Sequence, residues 1–336
     1  MKPSLRALAL VGAIAALLAV CILSVAVGSR EVPLGDVVQA LLDPDRHDLA
    51  SEAVRLRVPR TVLGLLVGAA LALSGVLMQG LTRNPLADPG LLGISSGAAF
   101  AIVLGMVILT IDSPAQFIWF ALVGSVATGV IVWLIGTRNG RIGDPLRLAL
   151  AGAIIASLLS SAIQGLLLPR AQTLSQFRYW MAGGLDGARF EQMLPVLPFF
   201  AVGMIIALSS GRTLNMLALG DDLAAGLGGS VNRSRAIVAT GALVLAAAST
   251  ALAGPIGFVG LVVPHAVRAV VGVNHNRVLS WSLVAGPLLL VGSDVLGRVI
   301  TRPADVQVGI VTAVIGAPVF IALVLRQRRA GGRHDH

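Results

Sequence analysis

The chain has 336 residues, of which 56% are hydrophobic and only 12% charged, and its mean hydropathy is +0.89. Soluble domains are about a quarter charged, so too little polar material is present to cover ordinary cytosolic domains. Aromatic content of 4% and helix-length apolar runs argue against an outer-membrane barrel, whose strands alternate; the sequence reads as an all-α integral membrane protein. The formal charge of +9 then reports loop topology, and no nucleic-acid partner is expected.

A helical span needs about 20 apolar residues. In chain order the runs are 7–27, 61–81, 91–111, 117–135, 148–168, 193–208, 236–253, 279–291 and 306–325. Between the seventh and eighth of these lies 254–272, apolar but interrupted by Pro255, Pro264, His265 and Arg268, which reads as a short further span. That gives about ten transmembrane helices in one domain over 1–336, with short interfacial helices beside them. The first run is too long for a signal-peptide core and is kept as a span. An even count puts both termini on one side. Placing them inside gives that side most of the arginines and leaves most of the acids outside, as the positive-inside rule demands.

Outside, 28–60 forms a long loop ending in Arg55, Arg57 and Arg60, followed by the amphipathic stretch 169–192, expected to hold an interfacial helix. An arginine cluster on an outer face either anchors to lipid phosphates or receives an acidic partner or anionic ligand through bidentate contacts. Arg298 falls on the same face. Inside, 84–90 (NPLADPG) carries two prolines that forbid a continuing helix, with Asp88 read as a cap. The longest inner loop, 209–234, contains Leu214, Leu217, Leu219, Leu223 and Leu227 at helical spacing, broken by Gly220 and followed by Asp221 and Asp222. It reads as two short helices whose apolar face either packs beneath its own bundle or inserts into a cytoplasmic partner.

Several absences bear on chemistry. Lys2 is the only lysine among 25 basic residues, so no P-loop ATPase site exists here. Cys21 is alone, and His265 has no neighbouring ligand types, so neither a catalytic residue nor a metal site is expected. No acid falls in the middle of a span, whereas ion-driven carriers need ionisable or oxygen-rich groups at the midplane. The fifth span offers small hydroxyls instead, Ser157, Ser160 and Ser161, suited to close packing or a weakly binding conduit.

Five segments in register, RVPR at 57–60, GAALALSGVLMQGLTRNPLADPGLLGISSGA at 68–98, LNMLALGDDLAAGLG at 214–228, GPIGFVGLVVPHAVR at 254–268 and VGIVTAVIGAPVF at 308–320, resemble the permease subunits of ABC importers for ferric siderophores, haem and vitamin B12. The sequence departs from that pattern at Gln307, where a proline is usual, and over 297–303. The resemblance implies ten helices per subunit and a homodimer or heterodimer of permeases. It also implies two cytoplasmic ATPases holding ATP and Mg, with no cofactor on this chain, and a substrate-binding protein delivering ligand from outside. It assigns Leu214, Leu217, Leu219, Gly220, Asp221, Asp222 and Leu227 to ATPase coupling and Arg57, Arg60 and Arg298 to binding-protein docking. The path runs between subunits, with Ser157, Ser160 and Ser161 along it, and ferric siderophore is the expected cargo, with haem or cobalamin the alternative. A protein of this kind sits in the bacterial cytoplasmic membrane and performs no bond chemistry. The rival of another class is an ion-coupled secondary transporter, which ATP would not drive.

Overall fold

The computed structural model describes residues 3–28, 48–137, 145–220, 230–302 and 304–331, with Gly35, Gln39, Asp43 and Leu223 as isolated positions. Among them the regular structure is entirely helical. In chain order the helices are α1 (Pro3–Ala26), α2 (Leu49–Thr82), α3 (Ile94–Ile108), α4 (Pro114–Gly136), α5 (Pro145–Leu167), α6 (Ala171–Met181), α7 (Phe190–Met193), α8 (Leu197–Ser209), α9 (Gly211–Ala218), α10 (Val231–Ala253), α11 (Val259–Val271), α12 (His275–Ile300) and α13 (Val308–Gly331). Six are long and apolar enough to cross a bilayer, and α8 joins them as a seventh only when counted with α9, against which it is bent by 47°. The apolar parts of α3, α11 and α13 are shorter. These elements occupy, in order, the positions of the expected spans, and the chain is a multi-pass membrane protein.

Three of the boundaries that differ from the sequence reading have a plain physical reason. Helix α2 is 34 residues long and begins well before 61, because Asp48 caps it, its side chain accepting from Ser51 N at 2.8 Å. Pro59 sits inside it without ending it. Two residues on, Thr61 Oγ1 donates back to Arg57 O at 2.8 Å. The arginines expected on a loop therefore lie on a helix. Helix α3 starts at Ile94 rather than 91, after a 3-10 turn at Pro89–Leu92 capped by Asp88. Helix α11 has only 13 residues, so the weak span 254–272 is a half-length helix preceded by extended chain.

The core is built around α2, which is flanked by α10, α11 and α12. Without a hydrophobic driving force between helices in lipid, close approach of small residues supplies the packing. A Cβ on Gly68 would stand 2.8 Å from Gly286 O and from Pro287 N and Cα of α12. A Cβ on Gly75 would stand 2.5 Å from Gly260 C and Cα of α11. Such contacts are backbone on backbone and admit no side chain. Around this centre α3, α4 and α5 form a second group, and the outward faces of α1, α4 and α5 carry exposed Leu, Ile and Val as lipid requires.

Candidate functional site

Two polar constellations stand at opposite ends of the bundle. At one end α9 lies across the ends of α2 and α12. Leu214 is fully buried against Gly80, and Leu217 is 2% exposed. Arg83, just past the end of α2, donates from Nε to Leu217 O at 2.8 Å, satisfying one of the carbonyls a helix C-terminus leaves open. Asn215 Oδ1 accepts from the backbone N–H of His275 at 2.9 Å and lies 3.0 Å from its Nδ1, tying α9 to the first turn of α12. The opposite side of the segment is open: Leu219 is 61% and Leu223 62% exposed, and Gly220 turns the chain at φ 113°. The apolar face foreseen in the sequence is thus divided, one half anchored beneath its own bundle and the other presented outward. Asp221, Asp222 and Leu227 lie outside the described residues.

At the other end the three arginines do not stand free on a surface. Arg57 is 7% exposed and donates from Nη1 to Val25 O and Ala26 O at 3.2 and 3.0 Å. Arg298 is 2% exposed, and its Nη1 reaches Ser24 O and Val27 O at 2.9 and 3.1 Å. Both therefore cap the C-terminal carbonyls of α1, where positive charge also meets the negative end of the helix dipole. Arg60 is the hub. Its Nη2 lies 2.7 Å from Asp294 Oδ1, and its Nη1 lies 2.5 Å from Asp186 and 3.0 Å from Asp305. Asp294 also holds Arg298 Nη2 at 2.9 Å. Asp186 and Asp305 carry no motif in the sequence; only the packed bundle brings them to Arg60.

Asp186 belongs to the loop after α6 and carries the cluster's clearest electrostatic mark. Burial pushes its carboxyl above the usual carboxylate range; Arg60 opposes this, while Asp294 and Asp305 add like-charge repulsion. The same loop is bound on two sides, Gly184 N donating to Ala253 O at 2.9 Å and Gly309 N to Gly183 O at 3.0 Å. It joins the ends of α10 and α13 to the arginine cluster. Beside it opens a cavity of about 590 Å³, lined by Asp112, Phe117, Tyr179, Trp180, Asp186 and Gln307 among others. Helix α6, foreseen as interfacial, packs Leu174 and Phe177 on α3 and α5 and exposes Tyr179.

Ser157, Ser160 and Ser161 lie together on the exposed face of α5, with Ile154 and Leu158. Ser161 Oγ bonds back to Ser157 O at 3.0 Å, so this hydroxyl is satisfied within its helix. No group of three or more His, Cys, Asp or Glu suited to a metal occurs among the described residues.

A helical multi-pass bundle with an anchored short helix at one end and a cavity beside an ion-pair cluster at the other defines a membrane transport protein. The chain belongs to the FecCD transport family, whose model matches residues 16–326. It is 40% identical over 326 residues to the ferric enterobactin transport system permease protein FepD of Escherichia coli, covering 97% of each chain. To the Fe(3+)-citrate import system permease protein YfmD of Bacillus subtilis it is 40% identical over 306 residues, 91% of each. The hemin transport system permease protein HmuU of Yersinia pestis is 39% identical over 281 residues, 82% of this chain and 83% of that one. A solved structure described as an inward-facing conformation of a metal-chelate type ABC transporter superposes with a TM-score of 0.80 at 30% identity, covering 94% of this chain and 98% of its own.

Proposed function

We propose that this chain is the membrane-spanning subunit of a binding-protein-dependent ABC importer for ferric siderophores, working as a pair of permeases above two cytoplasmic ATPases. The observation that carries the reading is the division of the α9 segment, with Leu214 and Leu217 anchored and Leu219 and Leu223 presented. A helix fixed to α2 and α12 on one face and bare on the other transmits force from a partner into the bundle. ATP and Mg belong to that partner, in keeping with Lys2 as the only lysine. Both termini then lie in the cytoplasm with α9, and the cavity beside Asp186 opens outward. ATP binding pulls α9, the two permease halves change tilt, and cargo passes between them along surfaces such as the serine face of α5. The relatives named for ferric enterobactin and Fe(3+)-citrate support iron-chelate cargo, and the hemin relative keeps haem as the second reading.

Docking of the binding protein is proposed at the arginine end, with Arg60 as the reachable cation. A partner's carboxylate would take the place of Asp186 or Asp305, whose side chains are 21% and 28% exposed. Arg57 and Arg298 act behind it by fixing α1. The deciding experiment is Leu219→Arg in cells that take up a labelled ferric siderophore. Uptake and ATPase co-purification are expected to be lost while membrane insertion is normal. Full uptake in this variant, or uptake that follows an ion gradient and ignores ATP, would refute the proposal.

A further inference from the structure

Two stretches of non-helical chain run into the interior and meet. From the α9 end, residues 83–93 turn back after α2 until Gly93 lies beside Thr128 of α4 and Gly152 of α5, well inside both helices. From the opposite end, 254–258 lead from α10 to α11, whose Gly260 faces Leu71 and Gly75. Leu71 is halfway between Arg60 and Thr82, a stretch of about 33 Å at 1.5 Å per residue, so the meeting place is near mid-depth. Irregular backbone is tolerated at such depth only where it is buried in protein or lines a cavity. Here it lines one of about 180 Å³, whose walls include Asp88, Ser95, Thr250, Ile256 and Gly257.

Asp88 is the acid that the sequence reading did not place at mid-depth. Its Oδ1 accepts from Gly90 N at 2.8 Å and caps the 3-10 turn. Its Oδ2 lies where a Cβ on Gly260 would be 3.2 Å away, and among the described residues it accepts no hydrogen bond and joins no ion pair. Neither Ser95 nor Thr250 makes a side-chain hydrogen bond among the described residues, and both line the same cavity. Among the described residues no other charged side chain lines it. The nearby cation, Arg268 of α11, bonds to Gln79 Oε1, and Gln79 Nε2 donates to Gly260 O at 3.1 Å. The guanidinium is thus held by an amide and not by the carboxylate.

Asp88 is half-buried, with Oδ2 left for this cavity, and an ionised carboxylate facing so small a space is stabilised by a counter-charge there. The donor set is all oxygen, which suits a hard cation. One carboxylate balances one positive charge, whereas a divalent ion would leave the apolar interior with an excess. The volume exceeds the roughly 30 Å³ share of a single water several times over, so an ion fits with some of its hydration. Broken helices that meet at mid-depth coordinate sodium in other membrane proteins through carbonyls and side-chain oxygens. We propose that Asp88, Ser95 and Thr250, with the broken segment at 255–257, form a sodium-binding site that locks the two re-entrant stretches together.

The test uses the full chain in lipid nanodiscs, with unfolding temperature measured in sodium, potassium and choline chlorides at equal ionic strength over a pH series. Sodium alone is expected to raise Tm, saturably, and radioactive sodium to bind at about one per chain. Asp88→Asn keeps an oxygen for the cap on Gly90, so it is expected to fold while losing both the Tm rise and the binding. Thr250→Val and Ser95→Ala are expected to weaken sodium several-fold. The proposal is overturned by an equal rise in potassium or choline, by a sodium response that survives Asp88→Asn, or by a Tm that follows pH and ignores sodium, which makes the proton the counter-charge. It is equally overturned if no cation changes Tm or binds, which leaves only water in the cavity.

Discussion

Arg60 offers a controlled comparison, because one guanidinium holds carboxylates at very different depths. Asp294 is 1% exposed, takes both Nε and Nη2 of Arg60, and also holds Arg298. Replacing it with alanine leaves the buried Arg298 without its carboxylate and takes from Arg60 the deepest of its three. Removing one member of a buried pair costs about 3–5 kcal/mol, because the remaining charge stays desolvated. Asp305 binds the same Arg60 at 3.0 Å but is 28% exposed, and pairs of that kind contribute about 0–1 kcal/mol. Asp294→Ala is therefore expected to destabilise the protein at least threefold more than Asp305→Ala. Reversible unfolding in mixed micelles, followed by tryptophan fluorescence, measures both. Potassium chloride at about 1 M, where the Debye length is about 3 Å, should shrink the Asp305 effect and leave the Asp294 effect in place. Equal losses from the two variants, or a silent Asp294→Ala, would refute the assignment of Asp294 as the buried anchor.

Three further outcomes follow from the geometry. Gly75→Ala drives a methyl into the backbone of Gly260; overpacking of this kind costs about 1–3 kcal/mol or more, and the yield of monodisperse protein should fall, with Gly12→Ala, which meets nothing within 4 Å, as the neutral control. Arg83→Ala removes the donor to Leu217 O; at about 1 kcal/mol for such a bond, amide exchange over 211–218 should quicken about fivefold. Asp186, held above its ordinary pKa by burial, binds more protons folded than unfolded between about pH 4 and its raised value. Its contribution is present in full below that window and is lost as pH rises through it, so Asp186→Asn should flatten this part of the stability–pH curve.

Hydropathy located the spans because length and apolar content are properties of a segment by itself. The helix ends were less legible because they depend on partners. Nothing in the run around 48–60 announces that Pro59 will be carried inside α2, a helix that the cap at Asp48 starts well before it. The arginine cluster shows the same limit. Its charge was readable, but α1 supplies the carbonyls that occupy Arg57 and Arg298, and only the packed bundle brings them together. Likewise the leucines of 214–223 share one helical pattern, yet Arg83 and His275, distant in sequence, decide which of them are anchored.

Asp88 shows what a sequence-based count of mid-span acids overlooks. Counting acids inside apolar runs assumes that depth follows the run, and 84–90 is not a run; two prolines mark it as a turn at the end of α2. The turn enters the bundle because Gly75 and Gly260 let α2 and α11 touch at the backbone, while the short α11 leaves its first turn at mid-depth. The place of the missing half of α11 is then taken from both sides by irregular chain, and the acid comes with it. A span too short to cross and a proline turn too polar to be a helix are thus parts of one device. With the proposed sodium in place, one carboxylate and its counter-ion close the junction of the two stretches beside the point where α2 and α11 touch at Gly75 and Gly260.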